Sequence, residues 1–179
     1  MKSRKKGNAG GALSFSLYIL LIIVAAVLIR HFLVERVVVV GQSMEPTLDD
    51  GDNVLIEKLS GHTGKIKRYD IVVFPRGGVL LIKRVYGLPG DDIRIDDSGL
   101  IYINDEPLDD KHAFTIMNDA GSAGGDGIML REDEYFVLGD NRNNSIDSRF
   151  PEVGNVNKKD IRGRVIWRLT PFSKMGKVK

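Results

Sequence analysis

The sequence predicts a mainly β protein: one N-terminal transmembrane helix, then an antiparallel β-barrel or sandwich. Three observations predict it. A single uninterrupted apolar run, 17–29, stands near the N-terminus. Short strand-like runs recur after it, at 37–40, 54–57, 70–74, 79–86, 92–95, 100–103, 135–138 and 161–167. Turn-forming clusters of Gly, Pro, Asp and Asn separate many of them, at 49–52, 61–64, 75–78, 88–91, 97–99 and 104–105, the punctuation of an antiparallel sheet. No segment beyond residue 36 carries a helical apolar stripe, so nothing points to βα units and a parallel sheet.

The apolar run extends back to Ala12 with Ser14 and Ser16 inside it, 18 residues in all. As a helix that is about 27 Å, near the thickness of a bilayer's hydrocarbon core. Lys2, Arg4, Lys5 and Lys6 precede it, whereas Arg30, His31, Glu35 and Arg36 follow with mixed sign. The positive-inside rule then gives a basic cytoplasmic tail at 1–11, a transmembrane anchor at 12–34 and an extracytoplasmic domain at 36–179. A cleaved signal peptide has the same n- and h-regions, but no small-x-small site follows the apolar core, which favours an uncleaved anchor.

The remaining residues suffice for one domain with its own core. A net charge of +2 gives no electrostatic footprint for nucleic acid. The chain has no cysteine, which removes disulfides, thiol catalysis and Cys-ligated metals.

Residues 41–48 read Gly-Gln-Ser-Met-Glu-Pro-Thr-Leu. They place Ser43 after a strand and before a proline turn, as a turn hydroxyl or a nucleophile. In the run 79–86, Lys83 shares a face with Val79, Leu81 and Val85 because side chains alternate along a strand. The plainer reading is an edge-strand lysine that blocks aggregation. The sharper one is a desolvated lysine whose pKa falls, so that part of it is neutral and can act as a base. Residues 139–149, Gly-Asp-Asn-Arg-Asn-Asn-Ser-Ile-Asp-Ser-Arg, are too polar for a strand. They read as a hydrogen-bonded turn or as a scaffold for a neighbouring site. The spacing departs from a calcium loop, since Arg142 takes a ligand position and the glycine and final Glu are missing. No metal and no cofactor are expected. The histidines His31, His62 and His112 lie in polar or flanking stretches and read as solvated, which leaves Lys83 as a candidate partner for Ser43 in the manner of Ser–Lys peptidases. The loop at 117–128 is flexible by composition, and Trp167 is expected in the core.

Four boxes occur in order. They are Ser43-Met44-Glu45-Pro46-Thr47-Leu48; Tyr69-Asp70-Ile71-Val72-Val73-Phe74; Ile82-Lys83-Arg84-Val85 with Gly87-Leu88-Pro89-Gly90-Asp91; and Gly139-Asp140-Asn141-Arg142 through Ser145, Asp147, Ser148 and Arg149. Together they resemble the boxes of bacterial type I signal peptidases, in the compact, single-anchor form of the Gram-positive enzymes. The resemblance implies a serine endopeptidase that removes signal peptides from exported preproteins at the membrane, cutting after a small-x-small motif. It implies that Ser43 attacks the scissile carbonyl and that neutral Lys83 takes its proton. Ser145 would hydrogen-bond the lysine, and Asp147 with Arg149, and Asp140 with Arg84, would be paired supports. The oxyanion hole would use the Ser43 N–H. Some members carry a serine two residues before the nucleophile as a second donor, and Gly41 stands there instead. Val39, Met44, Leu48 and Ile82 match the substrate-pocket walls and read equally as core. Two other classes stay open on the residues alone: a self-cleaving Ser–Lys repressor-type peptidase, which needs a DNA-binding module, and a non-catalytic anchored β domain that binds peptide or cell wall.

Overall fold

A computed structural model describes residues 9–63 and 66–178. The chain divides into two compact units, one ending at Val34 and one running Glu35–Lys179. The first holds helix α1 (Ala9–Phe32), whose described apolar side chains between 15 and 28 are largely exposed. Among the described residues no helix is long and apolar enough to cross a membrane; the unbroken run of described side chains in α1 is 14–28. Most of the basic tail expected at 1–11 lies outside the described residues.

The second unit is built from short strands. They are β1 (Val34–Val38), β2 (Asn53–Glu57), β3 (Ile71–Arg76), β4 (Val79–Gly87), β5 (Asp92–Ile95), β6 (Ile101–Ile103), β7 (Glu106–Pro107), β8 (Ile128–Met129), β9 (Glu134–Leu138), β10 (Val156–Asn157), β11 (Gly163–Thr170) and β12 (Gly176–Lys177). One sheet runs β1-β2-β11-β3-β4-β9-β10, with β12 on β11, and a second runs β7-β6-β5-β8. From β2 to β10, and throughout the second sheet, the pairings are antiparallel. Of the two expected architectures, barrel or sandwich, a closed barrel is not formed among the described residues: the pairing path is open, with β1 and β10 as its ends.

Strand β4 sets the interior. Its residues alternate between faces, so Ile82 joins the apolar cluster of Val37, Val54, Ile56 and Val165, while Val85 joins that of Val72, Phe74 and Val137. Tyr86 packs in a third cluster with Phe136 of β9 and with Ile93 and Ile101 from the second sheet. The register matters for chemistry. Lys83 lies opposite Val72 of β3, and Arg84 lies opposite Leu138 at the end of β9. The polar stretch that begins at Gly139 therefore emerges beside the two charged residues of β4.

Three local expectations differ from what forms. The first strand sits three residues earlier than 37–40. Val39 leaves the ladder to exchange hydrogen bonds with the 51–52 turn (Val39 N to Asp52 O, 2.8 Å; Gly51 N to Val39 O, 3.0 Å). The turn cluster at 61–64 begins as a short helix, α2 (Leu59–Thr63). Trp167 is 42% exposed because the β11–β2 register slips between Val165 and Trp167, which ends the alternation that keeps Val165 inside.

Candidate active site

The turn that carries Ser43 is fixed by what lies on either side of it. Met44 and Leu48 are 1% and 0% exposed, in the cluster with Val39 and Ile82. Leu48 N donates to Met44 O at 2.9 Å, closing a turn around the proline. Gly41 has φ +89°, a left-handed backbone that glycine adopts without strain. Its N–H donates to Asp50 Oδ1 at 2.8 Å. Residue 41 is therefore tied into the turn at 50, and its N–H already has an acceptor. Among the described residues the Ser43 N–H has none.

Lys83 reaches Ser43 from β4. Its Nζ donates to Ser43 Oγ at 2.6 Å. When the amine is neutral, the same contact runs with the hydroxyl donating. Lys83 is 3% exposed, and its pKa falls from 10.5 to about 8. Burial drives this fall, because an ammonium loses its hydration there. Asp147 and then Asp140 oppose it, and Arg149 adds to it; desolvation wins.

Residues 139–149 hold this pair from one side. Asn141 N donates to Ser43 O at 3.1 Å. Its Nδ2 donates to Gln42 O, and Asn144 Nδ2 to Gln42 Oε1, both at 3.2 Å. The loop is itself braced by two buried ion pairs. Asp147 accepts from Arg149 Nε (2.8 Å) and Nη2 (2.9 Å), from Gly139 N (3.0 Å) and from Ser145 Oγ (2.7 Å). Asp140 accepts from Arg84 Nε (2.8 Å) and Nη2 (2.6 Å) and from Thr47 Oγ1 (2.5 Å). Every oxygen of both carboxylates is thus satisfied, as buried charges require. The Ser145 hydroxyl is spent on Asp147 in this arrangement, and the Lys83 amine on Ser43.

Several supports carry no signal a single sequence would reveal. Arg142 Nη2 donates to Tyr86 Oη at 2.6 Å and pairs with Asp110 at 2.7 Å; Tyr86 Oη donates to the same carboxylate at 2.6 Å. Arg142 stands in the fourth box and Thr47 in the first, but Asp110 belongs to no motif. The stretch from 117, read as flexible, is docked on the polar loop: Asn118 N donates to Asn143 Oδ1 at 3.1 Å, Ser122 N to Arg149 O at 2.8 Å and Arg149 Nη1 to Asp119 O at 2.9 Å. His112 packs against the Tyr69 ring, 5.1 Å between centroids, with its pKa lowered by burial first and then by Arg84. The side chains of His31 and His62 lie outside the described residues.

The Ser43–Lys83 pair opens into a cleft of about 670 Å³. Val40, Leu81, Ile146 and Phe150 supply its apolar lining. The four matched pocket positions Val39, Met44, Leu48 and Ile82 are instead buried in the core. Val40 and Leu81, their chain neighbours, face the cleft, as alternation along an extended chain dictates.

By class the chain is a serine peptidase. More particularly, it belongs to the signal peptidase family: residues 12–170 match the model of the family described as signal peptidase, peptidase S26. It is 34% identical to signal peptidase I of Bacillus amyloliquefaciens over 100% of both chains. It is 37% identical to signal peptidase I P of Bacillus subtilis subsp. natto over 90% of each. A crystal structure of a signal peptidase I from Enterococcus faecalis, 28% identical, aligns with TM-score 0.45 over 55% of this chain and 95% of that one.

The closest approach in the site yields a prediction. A Cβ on Gly139 would overlap the Ser145 hydroxyl and the Ser43 carbonyl oxygen. Gly139→Ala is expected to cost about 1–3 kcal/mol of stability through overpacking. By pushing Ser43 off its line to Lys83 it is expected to lower kcat about 10²-fold. Thermal denaturation and peptide turnover measure the two effects, and wild-type turnover in the variant would refute the steric account.

Proposed function

We propose that this protein is a membrane-anchored Ser–Lys endopeptidase that removes signal peptides from exported preproteins, cutting after a small-x-small motif. The observation that carries the reading is the 2.6 Å contact between Lys83 Nζ and Ser43 Oγ at a site where burial depresses the lysine. Neutral Lys83 takes the hydroxyl proton as Ser43 Oγ attacks the scissile carbonyl. The carbonyl electrons move to oxygen, and the Ser43 N–H, which has no other acceptor among the described residues, stabilises the oxyanion. Gly41 contributes the turn and not a donor. The lysine returns its proton to the departing amine, leaving an acyl-enzyme on Ser43. It then takes a proton from the water that attacks the ester carbonyl and gives it to Ser43 Oγ as the acid product leaves.

Asp147 with Arg149, and Asp140 with Arg84, serve as the rigid support, and Ser145 bridges that support to the cleft. Residues 1–11 are the cytoplasmic tail, 12–34 the anchor and 36–179 the extracytoplasmic domain. Six residues between Arg36 and Ser43 keep the nucleophile near the membrane surface, where a preprotein held by its own apolar segment presents its cleavage site.

The pH profile tests the base. With a pKa of about 8, roughly one Lys83 in ten is neutral at pH 7, so kcat/KM, which reports the free enzyme, is expected to climb with pH through about 8 and then level. A profile flat from pH 6 to 10 would exclude Lys83 as the base. Mapping a β-lactam-type acyl adduct to Ser43 by mass spectrometry checks the nucleophile independently.

A further inference from the structure

The cleft beside Ser43 and Lys83 is lined almost wholly by neutral groups. Val40, Leu81, Ile146 and Phe150 are apolar, and Asn143, Asn144 and Ser145 are uncharged. Besides Lys83, its one charged lining residue among the described residues is Glu152. In the reactive state Lys83 is neutral, so among the described residues Glu152 is then the sole formal charge lining the cleft. Low-dielectric walls concentrate the field of a lone charge of this kind.

Glu152 is also held in place. It sits on the turn that follows Arg149. Phe150 N donates to Asp147 O at 2.9 Å, Gly154 N to Phe150 O at 2.8 Å, and Ser148 Oγ to Gly154 O at 2.8 Å. The Phe150 ring lies under the Arg149 guanidinium, 5.2 Å to the ring centre. Both ends of the turn are thus tied to the loop that braces the nucleophile. The Glu152 side chain itself is exposed, and among the described residues it has no cation. A carboxylate presented on a fixed turn, unpaired, at the edge of an apolar cleft is available to a positive charge on whatever fills that cleft.

We infer that Glu152 is a specificity-determining residue, which favours substrates carrying a Lys or Arg side chain in the polar residues flanking the scissile bond. This rests on the cleft's being the catalytic one. The membrane-embedded part of a signal peptide is apolar and cannot meet Glu152; the polar residues around the cleavage site can. An exposed pair of this kind changes kcat/KM several-fold and acts mainly through KM.

The test uses the full-length protein in detergent and a matched set of peptides. Neutral, Lys-bearing and Glu-bearing versions are compared at each position from about six before to about four after the scissile bond, with wild type, Glu152→Gln and Glu152→Lys. For wild type, the Lys/Glu ratio of kcat/KM is expected to reach roughly fivefold at one or two adjacent positions and to shrink as salt is raised. Glu152→Gln is expected to flatten the ratio and Glu152→Lys to invert it, with the neutral peptide cleaved within about twofold by all three proteins. A ratio left unchanged by Glu152→Lys at every position overturns the inference. So does a fall in neutral-peptide cleavage shared by both variants, which would make Glu152 a structural residue. Failure of the underlying reading shows separately, as neutral-peptide cleavage retained by Ser43→Ala.

Discussion

Ser43→Ala and Lys83→Met are each expected to lower kcat at least about 10⁴-fold, the scale seen when one member of a coupled nucleophile–base unit is removed. The two losses are expected not to add, because the groups act as one unit. Stability separates this from simple damage. Lys83 is 3% exposed, and its pKa is lowered to about 8, so carrying its proton at neutral pH costs on the order of 3 kcal/mol. Methionine keeps the unbranched shape and removes that cost. Lys83→Met is therefore expected to melt at or above the wild-type temperature while being inactive. The pH dependence gives a second check. The folded pKa lies below the unfolded one, so between about 8 and 10.5 the unfolded chain binds more protons. Wild-type stability then gains with rising pH across that window, and Lys83→Met is expected to lack this gain. A variant that loses both activity and melting temperature would point to a structural lysine.

The second large effect is structural. Arg84→Ala is expected to destabilise the domain by about 3–5 kcal/mol, the cost of stranding a buried carboxylate, and to lower the melting temperature by about 10 °C or more. Arg84 and Asp140 are both fully buried and share two hydrogen bonds. Once the arginine is gone, Asp140 keeps only the Thr47 hydroxyl from its side-chain partners. Arg84→Met with Asp140→Leu is expected to recover much of the loss, since the pair disappears together. Its failure to recover would mean that the arginine's bonds to Tyr69 O and Thr47 Oγ1 matter more than the charge pair. Urea melts followed by tryptophan fluorescence measure both variants.

The strands that build the site were legible because their chemistry is local. The alternation in 79–86 places Lys83 among apolar neighbours, and the density of Asn, Asp, Ser and Arg at 139–149 marks a hydrogen-bonded scaffold. What the residues alone do not give depends on long-range register. The Arg84–Asp140 pair is implied only by the family resemblance, because Arg84's place opposite Leu138 across the ladder, where it meets Asp140, is a property of sheet pairing and not of either segment. Asp110 is one carboxylate in an ordinary polar stretch until Arg142 and Tyr86 converge on it. The stretch from 117 is glycine-rich, and composition reads that as freedom; its ordering comes from carbonyls and amides of the polar loop. The matched pocket positions turn on a smaller point. Position along a motif does not say which of two neighbouring side chains faces out, and Val40 and Leu81 face the cleft while Val39 and Ile82 fill the core.

The contacts that hold the nucleophile turn to the polar loop join residues far apart in the chain: 93 positions separate Thr47 from Asp140, and 102 separate Gln42 from Asn144. Such contacts form only when both segments are present, and closing so long a loop is slow. During synthesis, Ser43 emerges from the ribosome well before the residues that position its turn. The growing chain thus carries its own delay, since the Ser43 turn cannot take up these contacts until residues 139–149 have been made.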